Sequence, residues 1–332
     1  MNCAYLAFTA KGLALAQQLA QTCPGSVSRC GLGGVTLAGW TAQQFAAADA
    51  LVFVGAAGIA VRAIAPCLRH KSTDPAVVVV DETGAFAVSL LSGHLGGAND
   101  LTRQVARLCG AVPVITTATD CSGVFSVDSW ARMQGCAVEN PRRIKEISSR
   151  LLSGETIKIA SDWPIAGAVP DGVELTDMQD YDVHLTLTKT AESALRIIPK
   201  IAVLGVGCKL GTPQAAIEQA FSELCDQENL CPEAFGLVCS IDRKAEEPGL
   251  LAFCKAHHLP FATYSAEQLM QAEGAFSASP FVREITGVDN VCERSAVLGS
   301  GGTLFVKKRA GNGVTMAAAS RPFHPDWRWR DA

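Results

Sequence analysis

The chain of 332 residues has little charge and few aromatics: Asp, Glu, Lys and Arg make up 18% and Phe, Trp and Tyr 6%. Its formal net charge of −4 argues against a general nucleic-acid surface, while leaving room for a local basic patch that takes an acidic small molecule. No C-x-x-C pair occurs among the 13 cysteines, and the count is odd. Neither a disulfide framework nor a zinc ribbon is suggested, and reduced thiols in the cytoplasm are the simpler reading. No apolar run reaches the roughly 18 residues of a membrane span, and Lys11 interrupts the apolar start, so no signal peptide is read there. Other absences concern chemistry. There is no H-E-x-x-H or comparable ligand set, no G-x-S-x-G elbow, no complete G-x-G-x-x-G with its following acid, and no G-K-[ST] phosphate loop. A protein-held catalytic metal and an α/β-hydrolase serine are therefore not expected, and a nucleotide site is weakly supported.

What is present is apolar and glycine-rich: 48% hydrophobic residues and 30 glycines, the profile of an α/β enzyme. Short apolar runs at Asn2 to Thr9, Ala50 to Val54, Ala76 to Val80, Phe86 to Leu91 and Val112 to Thr116 alternate with helical patterns at Lys11 to Thr22, Ile59 to Leu68 and Ala98 to Cys109. Val127 to Gly154 reads as helical twice over, Thr156 to Ser161 and Asp182 to Leu187 as strands, and Trp163 to Asp180 between them as a long loop or small subdomain connection. The pattern restarts at Lys200 to Val206. A helix follows from Thr212-Pro213, then Gly236 to Ile241, a helix from Glu247, and Phe261 to Tyr264 before the capping box Ser265-Ala-Glu-Gln268. Thr303 to Lys307 and Val314 to Ala319 read as a closing antiparallel pair. The expectation is an α/β protein of two lobes, each with a mostly parallel sheet flanked by helices, joined by a short linker. Its parts are 1–135, a middle segment and linker at 136–199, 200–321, and a surface-packing or poorly ordered tail at 322–332.

The richest stretch for chemistry is Ser89-Leu-Leu-Ser-Gly-His-Leu-Gly-Gly-Ala-Asn-Asp100, where a strand meets a glycine turn bearing His94 and then a helix. The turn puts His94 at the carboxyl end of a strand, where open α/β sheets bind ligands, and free N–H groups at the helix start favour an anion. The bland alternative is a tight turn and nothing more. Asp120 and Asp128 lie beyond the next strand, and a carboxylate there can orient His94 or hold water, or simply cap a helix. In the second half, Asp242-Arg-Lys-Ala-Glu-Glu-Pro-Gly249 concentrates charge. Lys244 and Glu247 can bind a carboxylate and act as acid or base, against the alternative of a solvated helix start.

On these residues the chain resembles the cobalt-precorrin-5A hydrolases of anaerobic cobalamin biosynthesis. The similar runs are Gly55-Ala-Ala-Gly-Ile-Ala-Val-Arg62, Leu91 to Asn99, Thr117-Ala-Thr-Asp120, Gly205-Val-Gly-Cys-Lys-Leu-Gly-Thr212 and Lys244 to Leu250. Ser279-Pro280, Thr286-Gly287-Val288 and Val314 to Ala317 extend them, so the likeness runs in order from about Leu51 to Ser320. Residues 1–49 and the tail match poorly, and Glu246 stands where the family often has Asp. The resemblance implies a hydrolase that opens the δ-lactone of cobalt-precorrin-5A, releasing acetaldehyde and cobalt-precorrin-5B. It implies no cofactor of the protein's own, since cobalt arrives in the substrate. The partner is that tetrapyrrole, with neither nucleic acid nor membrane; transient contacts with neighbouring pathway enzymes and a homodimer stay open. Under it, His94 is the base oriented by Asp120, and Lys244 or Glu247 assists if the second lobe closes over the first. Arg62, Gly93, Gly96, Gly97, Asn99, Thr119 and Lys209 are the expected substrate-binding set, with amides near Gly96 and Gly97 stabilising the oxyanion. Arg69 and Lys71 join the positive rim, and the macrocycle is expected in the cleft between lobes. A tetrapyrrole-binding handover protein without catalysis is the alternative.

Overall fold

The structure is a computed structural model that describes the chain apart from residues 71–72, 95, 118–121, 178–179, 190–193 and 330–332. Three sheets, rather than two and a linker, follow one another along it. The first has strand order β2-β1-β3-β4-β5-β6, built from β1 (Cys3–Ala7), β2 (Gly25–Arg29), β3 (Ala50–Val54), β4 (Ala76–Val80), β5 (Phe86–Leu91) and β6 (Val112–Val114). β1, β3 and β4 are buried along their whole length because both faces are covered. Cys3, Tyr5 and Ala7 face one apolar cluster with the helices Ala10–Thr22 and Ala98–Cys109, while Ala4 and Leu6 face another with Trp40 and Ile64. This is why these strands read as unbroken apolar runs instead of alternating ones.

β1 to β4 are mutually parallel, but β5 runs antiparallel to β4, and its last residue Leu91 pairs with Val77 at the start of β4. The turn after β5 therefore lies at the amino edge of the parallel strands. The expectation that it shares the carboxyl edge, where α/β sheets bind ligands, is corrected by strand direction.

The segment expected as middle segment and linker forms the second sheet, β7-β11-β10-β8-β9, from β7 (Cys136–Glu139), β8 (Ile157–Ser161), β9 (Val173–Leu175), β10 (Val183–Leu185) and β11 (Leu195–Pro199). β11 occupies part of the expected linker and is buried throughout. Its Arg196 and closing Pro199 disguised it. Arg196 is accommodated by an ion pair with Glu139 on the antiparallel neighbour β7, itself a strand that divides the expected helical stretch in two. The tail is part of this unit. Trp327 is buried and stacks on Trp130 with centroids 5.3 Å apart, and Trp130 Nε1 donates to the Asp326 carbonyl.

The third sheet has the order β14-β13-β12-β16-β15, from β12 (Ala202–Cys208), β13 (Phe235–Ile241), β14 (Phe261–Tyr264), β15 (Thr303–Gly311) and β16 (Val314–Ser320). The hairpin β15-β16 closes it as expected, and Ser265 and Gln268 make the reciprocal capping box. The helix Cys292–Ser300 lies against β12 so closely that a Cβ on Gly205 would sit 1.8 Å from the Cys292 carbonyl oxygen. Among the described residues no helix is long and apolar enough to cross a membrane.

Candidate active site

The glycine turn after β5 is a folded knot, not an open loop. Ser92 adopts a left-handed φ of 57° and Gly97 one of 81°, the latter a conformation that favours glycine. Close approach explains the other glycines: a Cβ on Gly96 would sit 2.4 Å from Ser92 Cβ, and one on Gly93 2.7 Å from Asn99 Oδ1. The amides of Gly97, Ala98 and Asn99 donate to the carbonyls of His94, Ser92 and Gly93 at 2.9, 3.1 and 2.9 Å. The helix Ala98–Cys109 thus starts with its first amides engaged, so the expected anion site there is closed and Gly97 is not an oxyanion donor. The Gly96 N–H has no partner among the described residues.

Asn99 braces the knot. Its Oδ1 accepts from Ser89 Oγ at 2.7 Å and its Nδ2 donates to Thr117 Oγ1 at 2.9 Å, which ties the helix start to β5 and to the segment after β6. Ser92 Oγ donates to the Asp74 carbonyl at 2.9 Å, tying the knot to the amino end of β4.

These restraints hold His94 with its Nδ1 3.1 Å from Asp128 Oδ2. Asp128 enters from the short helix Val127–Met133, which follows Phe125 and packs into the core of the second sheet through Val127 and Trp130. The dyad therefore joins the first sheet to the second. Asp128 Oδ1 accepts from Ser126 Oγ at 2.7 Å and from the Ser129 amide at 3.0 Å. Burial alone would raise the Asp128 carboxyl, but the bonds from His94, Ser126 and Ser129 outweigh it and hold it below the ordinary carboxylate range. Such a carboxylate orders the imidazole with its proton on Nδ1 and its lone pair on Nε2, the tautomer of a general base. Among the described residues Asp128 is the carboxylate at Nδ1; the expected Asp120, with Thr119 and Lys71, lies outside the described residues.

The other expected residues lie elsewhere. Arg62 donates to the Gly58 carbonyl at 3.1 Å on the surface of its own helix. Lys244 and Glu247 form an ion pair at 2.7 Å, with Glu247 Oε1 accepting the Gly211 amide at 2.8 Å. Glu247 is buried, so it anchors Lys244 from behind. Lys209 and Lys244 line a cavity of about 900 Å³ in the third sheet unit. Among the described residues none before Gly207, His94 included, lines it, so its described walls belong to the third unit and not to a cleft between lobes. The sequence reading missed Arg243 and Lys308, which share that wall. Arg243 sits in the charged run already singled out, whereas Lys308 belongs to a strand and offers no local signal.

Comparison with known proteins covers all three units. The family described as Cobalamin synthesis G N-terminal matches residues 39–120, Cobalamin biosynthesis central region matches 125–247, and Cobalamin synthesis G C-terminus matches 202–319. The cobalt-precorrin-5A hydrolase of Salmonella typhimurium is 35% identical over 289 residues, 82% of this chain and 82% of that protein. The enzyme of the same name from Priestia megaterium is 32% identical over 296 residues, 82% of this chain and 79% of its own length. Protein CobE of a Sinorhizobium species is 34% identical over 121 residues, which is 35% of this chain and 78% of that protein. With relatives of this identity matched over most of their length, and with the three regional matches in order, the chain belongs to the cobalt-precorrin-5A hydrolase family of cobalamin biosynthesis.

Proposed function

We propose that this protein hydrolyses the δ-lactone of cobalt-precorrin-5A and releases the two-carbon fragment as acetaldehyde, leaving cobalt-precorrin-5B. The observation that carries this reading is the His94–Asp128 pair, a base and its orienting carboxylate on a rigid turn in a chain of this family. His94 Nε2 takes a proton from water as the oxygen adds to the lactone carbonyl, and the Gly96 N–H is the turn amide that can meet the oxyanion. Collapse of the tetrahedral adduct breaks the ring C–O bond, giving a carboxylate on the macrocycle and a hydroxyethyl group, whose oxygen receives the proton. Removal of that O–H proton then forms the aldehyde C=O as the carbon–carbon bond breaks. The electron pair passes into the conjugated macrocycle, which is reprotonated. The imidazole can serve in both proton transfers. No cofactor of the protein's own enters these steps, cobalt being part of the substrate.

The handover reading, a protein that binds the tetrapyrrole without turning it over, draws support from the cavity of the third unit, where no histidine is among the described lining residues. One anaerobic experiment separates them. Incubation with the lactone in water enriched in heavy oxygen should give trapped acetaldehyde and a macrocycle with one solvent oxygen in its new carboxylate. Unchanged lactone recovered from a tight complex would establish the carrier instead.

A further inference from the structure

The third sheet unit contains a cavity of about 900 Å³ with an uneven distribution of charge. Four cationic residues, Lys209, Arg243, Lys244 and Lys308, line it, and among the described residues no Asp or Glu does, in a chain whose formal charge is −4. Lys244 is neutralised from behind by Glu247. The other three have no carboxylate partner among the described residues. Arg243 donates to the backbone carbonyl of Ile285, and Lys308 bonds Glu293 only through its main-chain amide. Three unneutralised cations around one concavity repel each other, a cost that an anionic occupant would relieve.

The rest of the lining is apolar. Ile241, Val282, Val291 and Val314 contribute to the wall, while Leu210, 90% exposed, and Ile285, 52% exposed, stand at the cavity with their side chains largely uncovered. An apolar wall within a cationic lining matches a ligand with an apolar body and several peripheral carboxylates, and it matches neither a sugar nor a simple inorganic anion.

The framework behind the wall is fixed. Glu293 is fully buried and accepts from the Ser277 amide and hydroxyl, Asn290 Nδ2 and the Lys308 amide, at 2.7, 3.0, 2.8 and 2.7 Å. This one carboxylate joins the loop before the helix Pro280–Thr286, the start of the helix Cys292–Ser300 and the strand β15. The cavity is therefore largely preformed.

We infer that this cavity is a binding site for a polycarboxylated tetrapyrrole macrocycle, held by Lys209, Arg243 and Lys308, separate in the fold from the His94–Asp128 dyad. The choice of macrocycle, and with it a flat ligand, rests on the function proposed above; the polyanionic, partly apolar character of the ligand rests on the lining alone. In a cobalt-precorrin-5A hydrolase, such a site retains the intermediate by its periphery.

The test uses the full chain and uroporphyrin, a stable tetrapyrrole carrying only carboxylate side chains, followed by its absorption and fluorescence, with its neutral methyl ester as control. Binding to wild type should weaken as salt is raised. It should fall at least about tenfold in the Lys209→Ala/Lys308→Ala double variant, the equivalent of losing about 1.4 kcal/mol. His94→Ala should bind as wild type does. Lys209→Glu, a change at an exposed position, supplies a second variant whose fold is not in question. Binding that is insensitive to salt and to both rim variants, equal binding of the neutral ester, loss of binding in His94→Ala, or no binding of uroporphyrin by wild type would each overturn the site. If wild type releases no acetaldehyde from the lactone while rim-dependent binding persists, the hydrolase reading falls and the site stands.

Discussion

At the scale of single residues, the proposed chemistry turns on a histidine whose position is over-determined. The carbonyl of His94 accepts the Gly97 amide, its neighbour Gly93 accepts the Asn99 amide, and Asp128 holds its Nδ1. The tightness of the His94 turn was legible from the glycines flanking it. Its contact with Asp128 was not, because Asp120 and Asp128 are equivalent as residue types, and it is the helix Val127–Met133, not a local pattern, that brings Asp128 to the imidazole. Asp128→Asn should lower turnover by roughly 10²–10⁴-fold if orientation of the base accounts for its full effect, with little change in macrocycle binding. The same variant makes a stability prediction. Because the folded carboxyl is held below its ordinary value of 3.8, Asp128 contributes stability that is present above that value and is lost as pH falls through the folded one. In thermal melts from neutral pH downward, the gap between wild type and Asp128→Asn should therefore hold steady until about the ordinary carboxyl value and narrow below it. A gap that widens in acid would contradict the assignment.

Among elements, the helix Val127–Met133 carries the most consequence for its length. It presents Asp128 to the first sheet, buries Trp130 in the second, and is gripped from outside by the tail through the Trp327 stack and the Asp326 carbonyl. Gln134 reinforces the grip, with its Nε2 3.1 Å from Asp326 Oδ1 and its Oε1 accepting the Asp326 amide at the same distance. The tail reads as surface packing or poorly ordered because two tryptophans among prolines show no periodicity; the rings they meet, Trp130 for Trp327 and Phe125 for Trp329, are distant in sequence. Trp327→Ala should destabilise the fold by about 3–5 kcal/mol, the range for removing a large buried aromatic. Where the variant still folds, acetaldehyde release should fall further than uroporphyrin binding, since the tail touches the dyad's helix and not the third unit's cavity. Equal losses in both would mean that the tail acts on the whole protein and not on that helix.

The whole molecule is three α/β units in series, and its sequence revealed the class more readily than the count. Strands covered on both faces, such as β3 and β4, announce themselves as short apolar runs. The second sheet is assembled from segments of three to five residues, and its fully buried β11 includes an arginine that only an ion pair across to β7 makes tolerable. Local pattern cannot express that pairing, so the segment read as linker. The same limitation hid the cationic cavity. Lys209, Arg243 and Lys308 are far apart in sequence and meet only when β12, β13 and β15 are assembled in one sheet. Dyad and cavity thus belong to different units, and under the proposed function one end of the chain performs the chemistry while the other holds the macrocycle. The most direct measurement of that claim is the rate of acetaldehyde release from the cobalt-precorrin lactone by wild type and by His94→Ala, run side by side under anaerobic conditions at saturating substrate. Release by wild type at least about a hundredfold faster than by the variant is the expected result. Equal rates would remove His94 from the reaction and move the chemistry elsewhere in the chain.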